Sequence, residues 1–102
     1  MMAVNVGGVW LAARAVVPTM QAQRWGRIVN ISSVGGDLDG TYTEIERAAV
    51  SEAQKRAMIQ QQSIKRPETP ADLAGVVTFL CSVEAGFITG QTVNVDGGFM
   101  ML

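Results

Sequence analysis

The chain has 102 residues, 48% hydrophobic and 17% charged, which bounds it to one domain at most and excludes disorder as the default state. Eight Lys and Arg against nine Asp and Glu give a formal net charge of -1, leaving no basic excess to neutralise the phosphates of a nucleic acid. With one cysteine, Cys81, and no histidine, disulfide scaffolds, His-Cys zinc sites and His-based triads are excluded by counting. Any chemistry runs on hydroxyls, carboxylates, lysines or a bound cofactor.

No acidic residue precedes Asp37, whereas Arg14, Arg24 and Arg27 do, an acid-poor pattern that leaves a mitochondrial presequence open as an alternative. The apolar run over 1–13 lacks a basic leader and stops at Arg14, short of the roughly 20 apolar residues of a membrane span, and fits neither that nor a secretory signal. The expectation is a cytoplasmic protein whose Cys81 stays a reduced thiol.

Val6, Val9, Trp10, Ala13, Val16, Val17 and Met20 recur at three- and four-residue steps and predict an amphipathic helix over 4–22, with Pro18 near its end and Gly26 as its stop. Ile28, Val29 and Ile31 then predict a short strand over 27–32, of the apolar kind buried on both faces. Residues 33–43, rich in Gly and Asp, read as loop. A second helix is expected over 44–62 on the weak stripe Ile45, Ala49, Ala53 and Ala57. A third starts at a marked boundary, with Thr69 as cap, Pro70 in the first helical position and Asp72 three residues after the cap. Leu73, Val76, Val77, Leu80 and Cys81 form its apolar face, with Cys81 as a packing residue, and it ends near Ser82. After a loop containing Gly86 and Gly90, a second strand is expected over 91–95, closing on Asp96-Gly97-Gly98.

Three segments fall in one order: Asn5-Val6-Gly7-Gly8; then Gly26-Arg27-Ile28-Val29-Asn30-Ile31-Ser32-Ser33; then Arg66-Pro67-Glu68-Thr69-Pro70-Ala71-Asp72, running through Ile88-Thr89-Gly90-Gln91 to Val95-Asp96-Gly97-Gly98. Together they resemble the short-chain dehydrogenase/reductase family. The resemblance implies a doubly wound Rossmann sheet, NAD or NADP as cofactor, and interconversion of a secondary alcohol and a carbonyl on a small molecule. It matches Asn5 to the family's structural and proton-relay asparagine, and Ser33 to the catalytic serine whose hydroxyl bonds the substrate oxygen.

The chain also departs from that pattern. Family members are more than twice as long and open with a strand and a glycine-rich turn that brings backbone N–H groups to the cofactor pyrophosphate. Here Gly7-Gly8, Gly35-Gly36 and Gly97-Gly98 are isolated pairs, so no cofactor-binding residue is assigned and the chain is expected not to bind NAD(P). The family's active-site tyrosine and the lysine four residues later share one helix face. Tyr42 is the only tyrosine, and four residues later stands Glu46. The expected fold is therefore α/β, a truncated Rossmann-like fragment, helix-dominated with two short strands. It would form a single partial domain over 1–102, with an internal deletion near 34–43.

Each singled-out residue has a plainer reading. Ser33 serves equally as a strand-end serine bonding local backbone, and Asn5 as a helix N-cap. Asp37, Asp39, Glu44 and Glu46 suggest a calcium loop whose spacing fails the twelve-residue pattern, so no metal is assigned. Asn30-Ile31-Ser32 is a formal glycosylation sequon, expected to stay unmodified in a buried strand. Phe99, Met100, Met101 and Leu102 form an apolar tail fit for a subunit contact. The rival to an inactive oxidoreductase fragment is a non-catalytic interaction or dimerisation fragment, self-associating or pairing with an intact relative, with no nucleic-acid or membrane partner.

Overall fold

A computed structural model describes residues 3–32 and 51–100. Its contacts divide into two units, Met1–Ile31 and Ser32–Leu102. The described residues are helix-dominated: a π-helical turn Ala3–Gly7 leads into α1 (Gly8–Gln23), followed later by α2 (Glu52–Gln61), α3 (Pro70–Cys81) and a single 3-10 turn Val83–Ala85.

In the first unit the expected helix is present, entered through the π-helical turn, so Asn5 lies inside helical backbone and not at an N-cap. The helix ends at Arg24, two residues before the expected glycine. Arg24 takes the left-handed conformation at φ 55°, and its N–H and that of Trp25 both reach back to the carbonyl of Met20. Gly26 has a different task. A Cβ there would run into the Met20 side chain, 2.8 Å from its Cβ, so the bare backbone lets the chain fold back against the last turn of α1. Beyond it the Arg27 guanidinium stands 5.6 Å from the Trp25 ring centroid and donates to the Gly26 carbonyl at 2.8 Å.

The second unit begins with a capping box missed by the helix expectation over 44–62. Ser51 is extended, its Oγ accepts the Gln54 N–H at 3.2 Å, and the Gln54 Oε1 accepts the Ser51 N–H at 2.9 Å. That fixes the start of α2 at Glu52; residues 44–50 lie outside the described residues. Met58 and Ala85 are the buried apolar side chains among the described residues, and Gln62 the buried polar one. Helix α3 spans the expected residues, and Thr78 inside it returns its hydroxyl to the Ala74 carbonyl at 2.7 Å. Leu73, Val76, Val77 and Leu80 are half-buried, whereas Cys81 is an exposed free thiol and not a packing residue.

Neither expected strand forms. Residues 27–32 and 91–95 belong to no strand, and among the described residues no ladder partner lies beside either. Their β-branched content favours extended backbone, but a strand exists only when a neighbour takes its N–H and C=O groups. Asn30, expected in a buried strand, is exposed, as are Ile28 and Ile31.

Candidate functional site

Of the two residues matched to the family's catalytic set, Asn5 alone falls among the described residues. Asn5 lies in the π-helical turn of the first unit. Ser33, Tyr42, Glu46 and the acidic cluster around Asp37 lie outside the described residues.

The polar organisation that is present belongs to the second unit. Arg66 and Asp72 form a bidentate pair across the turn before α3, with Nη1 donating to Oδ2 at 2.8 Å and Nη2 to Oδ1 at 2.7 Å. The same carboxylate accepts the Thr69 N–H at 2.8 Å and the Thr69 hydroxyl at 3.0 Å. The Arg66 bonds foremost, then those from Thr69, hold the Asp72 carboxyl well below the usual carboxylate range. Asp72 in turn raises the Arg66 guanidinium above its ordinary value.

A second knot joins the end of α2 to the turn after 91–95. The Gly97 carbonyl accepts the N–H groups of Ser63 and Ile64, both at 2.9 Å. Gln62, buried beneath, donates its side-chain amide to the carbonyls of Ile64 at 3.0 Å and Arg66 at 2.9 Å. Asp96 closes the turn itself, its Oδ1 accepting the Gly98 N–H and its Oδ2 the Met100 N–H, each at 3.0 Å. Gly97 and Gly98 carry φ values of 63° and 82°, the left-handed backbone that glycine adopts at no steric cost. The capping role of Asp72 was readable from Thr69-Pro70-Ala71-Asp72; its partner Arg66, six residues back across a turn, shares no periodicity with it and was missed.

An open apolar groove of about 570 Å³ runs along α3, between Val76, Phe79 and Leu80 on the helix and Ile88 and Val93 on the chain beyond it. It holds no charged side chain. Among the described residues no group of His, Cys, Asp and Glu is arranged to hold a metal ion, and no helix is long and apolar enough to cross a membrane.

The pyrophosphate of a dinucleotide needs a helix N-terminus with unshielded N–H groups behind a glycine turn. The described helix starts do not fit. At α3, Pro70 has no N–H and the Asp72 carboxylate occupies the cap. At α2, Ser51 takes the free N–H of Gln54 and Glu52 places a carboxylate in the first turn. The first turn of α1 is continued backward by the π-helical turn.

The short chain dehydrogenase family matches residues 1–62, and the family described as Enoyl-(Acyl carrier protein) reductase matches residues 40–100. The chain is 31% identical to a 3-oxoacyl-[acyl-carrier-protein] reductase FabG of Aquifex aeolicus, over 93% of this chain and 53% of the relative. It is 30% identical to dehydrogenase/reductase SDR family member 4 of Sus scrofa, over 93% and 48%, and 30% identical to a tropinone reductase homolog of Arabidopsis thaliana, over 97% and 53%. No solved structure matches. The chain belongs to the short-chain dehydrogenase/reductase family. It spans about half the length of the curated relatives it matches.

Proposed function

We propose that the chain derives from an NAD(P)-dependent oxidoreductase that interconverts a secondary alcohol and a carbonyl, and that in this form it binds no nicotinamide cofactor and turns over no substrate. One observation carries the reading: the only tyrosine, Tyr42, is followed four residues later by Glu46. In the family the lysine at that offset lowers the phenol pKa from about 10, so that the tyrosine exchanges a proton with substrate near neutral pH. A carboxylate there works in the opposite direction. The alignment with the FabG relative supports the same conclusion: it extends over 132 residues but draws on 93% of 102 here, about 95, so about 37 aligned positions face no residue of this chain. An internal loss near 34–43 accounts for both facts and leaves Asn5 and Ser33 as remnants of a catalytic set, within a single partial Rossmann-like domain of a cytoplasmic protein. Titration with NADH and NADPH, following nicotinamide fluorescence, tests it. No saturable change is expected, and a saturable enhancement overturns the reading.

A second reading, a non-catalytic fragment that associates with its own kind or with an intact relative, is favoured by the apolar side chains around α1. Val4, Val6, Trp10 and Leu11 are between 57% and 74% exposed, an arrangement that a helix of this composition normally relieves by packing. Size-exclusion chromatography with light scattering tests it, and a compact monomer at high concentration that binds no hydrophobic dye overturns it.

A further inference from the structure

We propose that the Asp96–Gly97 bond is a site of spontaneous covalent modification, at which the aspartate converts through a cyclic imide to isoaspartate, and that the conversion releases the Gly97 carbonyl from Ser63 and Ile64. The modified residue is then a substrate for an S-adenosylmethionine-dependent methyltransferase that esterifies isoaspartyl carboxylates.

The reaction is a dehydration followed by a hydrolysis. The Gly97 nitrogen attacks Cγ of the protonated Asp96 carboxyl, a C–N bond forms, and the carboxyl hydroxyl leaves with the amide proton as water. Water then reopens the ring at either carbonyl. Opening at the main-chain carbonyl leaves the backbone running through Cβ and Cγ, with the former α-carboxyl as the side group. No electrons are exchanged and water is the one co-reactant; Asp96 and Gly97 are half-buried, within its reach.

Three observations within this turn lead there. The first is the electrophile: Oδ1 of Asp96 takes the Gly98 N–H and Oδ2 the Met100 N–H, each at 3.0 Å, so the carboxyl is folded forward past Gly97 and does not extend into solvent. The same N–H groups face the oxygens on which negative charge develops as the nitrogen attacks. The second is the nucleophile. Gly97 has no Cβ to shield its nitrogen, and among the described residues its N–H is given to no acceptor. The third is the consequence. Besides the carboxyl bonds, the Asp96 main-chain carbonyl accepts the Phe99 N–H at 3.1 Å. Isomerisation exchanges the roles of these two groups and adds one methylene to the main chain immediately before Gly97, whose carbonyl holds the Ser63 and Ile64 N–H groups at 2.9 Å each. A clasp made by one oxygen has no second acceptor to take up that shift.

The test ages the full chain for weeks at physiological temperature, with and without urea, and maps the digest by electron-transfer fragmentation, which distinguishes isoaspartate from aspartate at each position. A parallel aliquot receives an isoaspartyl methyltransferase and labelled S-adenosylmethionine. The folded chain is expected to gain isoaspartate at position 96, with label on the same peptide. Asp96→Glu is expected to lose both signals there, since its longer side chain closes a larger ring more slowly. Asp39–Gly40, the other Asp–Gly bond of the sequence, is the reference that shows the conditions suffice. Hydrogen exchange on the aged chain reads the consequence: the Ser63 and Ile64 amides are expected to lose protection together in the isomerised fraction and to keep it in the aspartyl fraction. A folded chain whose Asp96 stays aspartate, conversion confined to urea, an isomerised peptide that takes no label, or an isomerised fraction in which Ser63 and Ile64 stay protected overturns the proposal.

Discussion

The guanidinium of Arg66 and the carboxylate of Asp72 lie in a fork-to-fork pair with both bonds under 3 Å, and the same carboxylate holds the Thr69 N–H. One acidic side chain thereby fixes the turn that precedes α3 and the cap that starts it. A lysine has one charged nitrogen in place of the fork. Arg66→Lys is therefore expected to keep the charge, lose one of the two bonds, and let the Asp72 carboxyl rise toward its ordinary range, as measured by carbon-detected NMR titration. An unchanged Asp72 titration in that variant would contradict the assignment.

The same pair sets an acid dependence. Because the folded-state pKa of Asp72 is lowered, its contribution is fully present above the unfolded value of about 4 and is lost as pH falls through the folded value. Asp72→Asn is thus expected to be less stable than the unmodified chain near neutrality, with the gap closing progressively below about pH 4. Glu84 is lowered as well, by its own backbone N–H and then the Ser82 hydroxyl, so the unmodified chain shares that window between two groups. Urea melts at a series of pH values check it, and a gap that stays constant into acid would refute it.

Ser51→Ala removes the oxygen that takes the Gln54 N–H at the start of α2. The expected cost is about 1 kcal/mol in urea denaturation, the usual loss when a capping hydroxyl goes. Ser51→Asp is expected to keep most of the stability, since a carboxylate also accepts at that position and favours the helix N-terminus.

How far these features could be read beforehand depends on the range of the interaction that makes them. Helix α3 was legible to the residue because Thr69, Pro70 and Asp72 are a local signal for a local event. The start of α2 was equally written, in Ser51-Glu52-Ala53-Gln54, but the alanine stripe running from Ile45 drew the helix across it. The segments 27–32 and 91–95 show the opposite limit: Ile28, Val29 and Val93 encode extended backbone, and the sheet that would make them strands depends on partners distant in sequence. Of the candidate site, the motifs carrying the family resemblance were readable, while the pairing of Arg66 with Asp72 and of Gly97 with Ser63 and Ile64 follows from turns that no repeat reports.

The turn at Gly97-Gly98 gives a graded comparison. Both positions have positive φ, so alanine at either costs about 1 to 2 kcal/mol from backbone strain alone. A Cβ at Gly98 would also come within 2.8 Å of the Ser63 Oγ and 2.9 Å of its Cβ, whereas at Gly97 the nearest atom is 3.4 Å away, in the Gln62 amide. Gly98→Ala is expected to lower the melting temperature more than Gly97→Ala; the reverse order would show that the Ser63 contact does not govern this turn.

Glu46→Lys restores the family's tyrosine-to-lysine offset in sequence, and no ketone-dependent oxidation of NADH or NADPH is expected from it. Positioning of reactants is worth about 7 to 11 kcal/mol of barrier, more than the roughly 3 to 5.5 kcal/mol of one well-placed acid or base. If the variant oxidised the cofactor and Tyr42→Phe abolished that rate, the proposed loss of the cofactor site would be withdrawn.

The Gly97 carbonyl, shared by two successive amides, turns the stretch between Ile64 and Gly97 into a noncovalent ring of roughly 33 residues that contains the whole of α3. Closing a flexible ring of that size costs about 3 kcal/mol in chain entropy before the constant term, and two hydrogen bonds of about 1 kcal/mol each offset part of it. Since both amides depend on one oxygen, Ser63 and Ile64 open to solvent in a single event. A protease cut within the ring, at Gly86 or Gly90 for instance, turns that closure into an association between two peptides, and two hydrogen bonds of about 1 kcal/mol each do not hold separate peptides together.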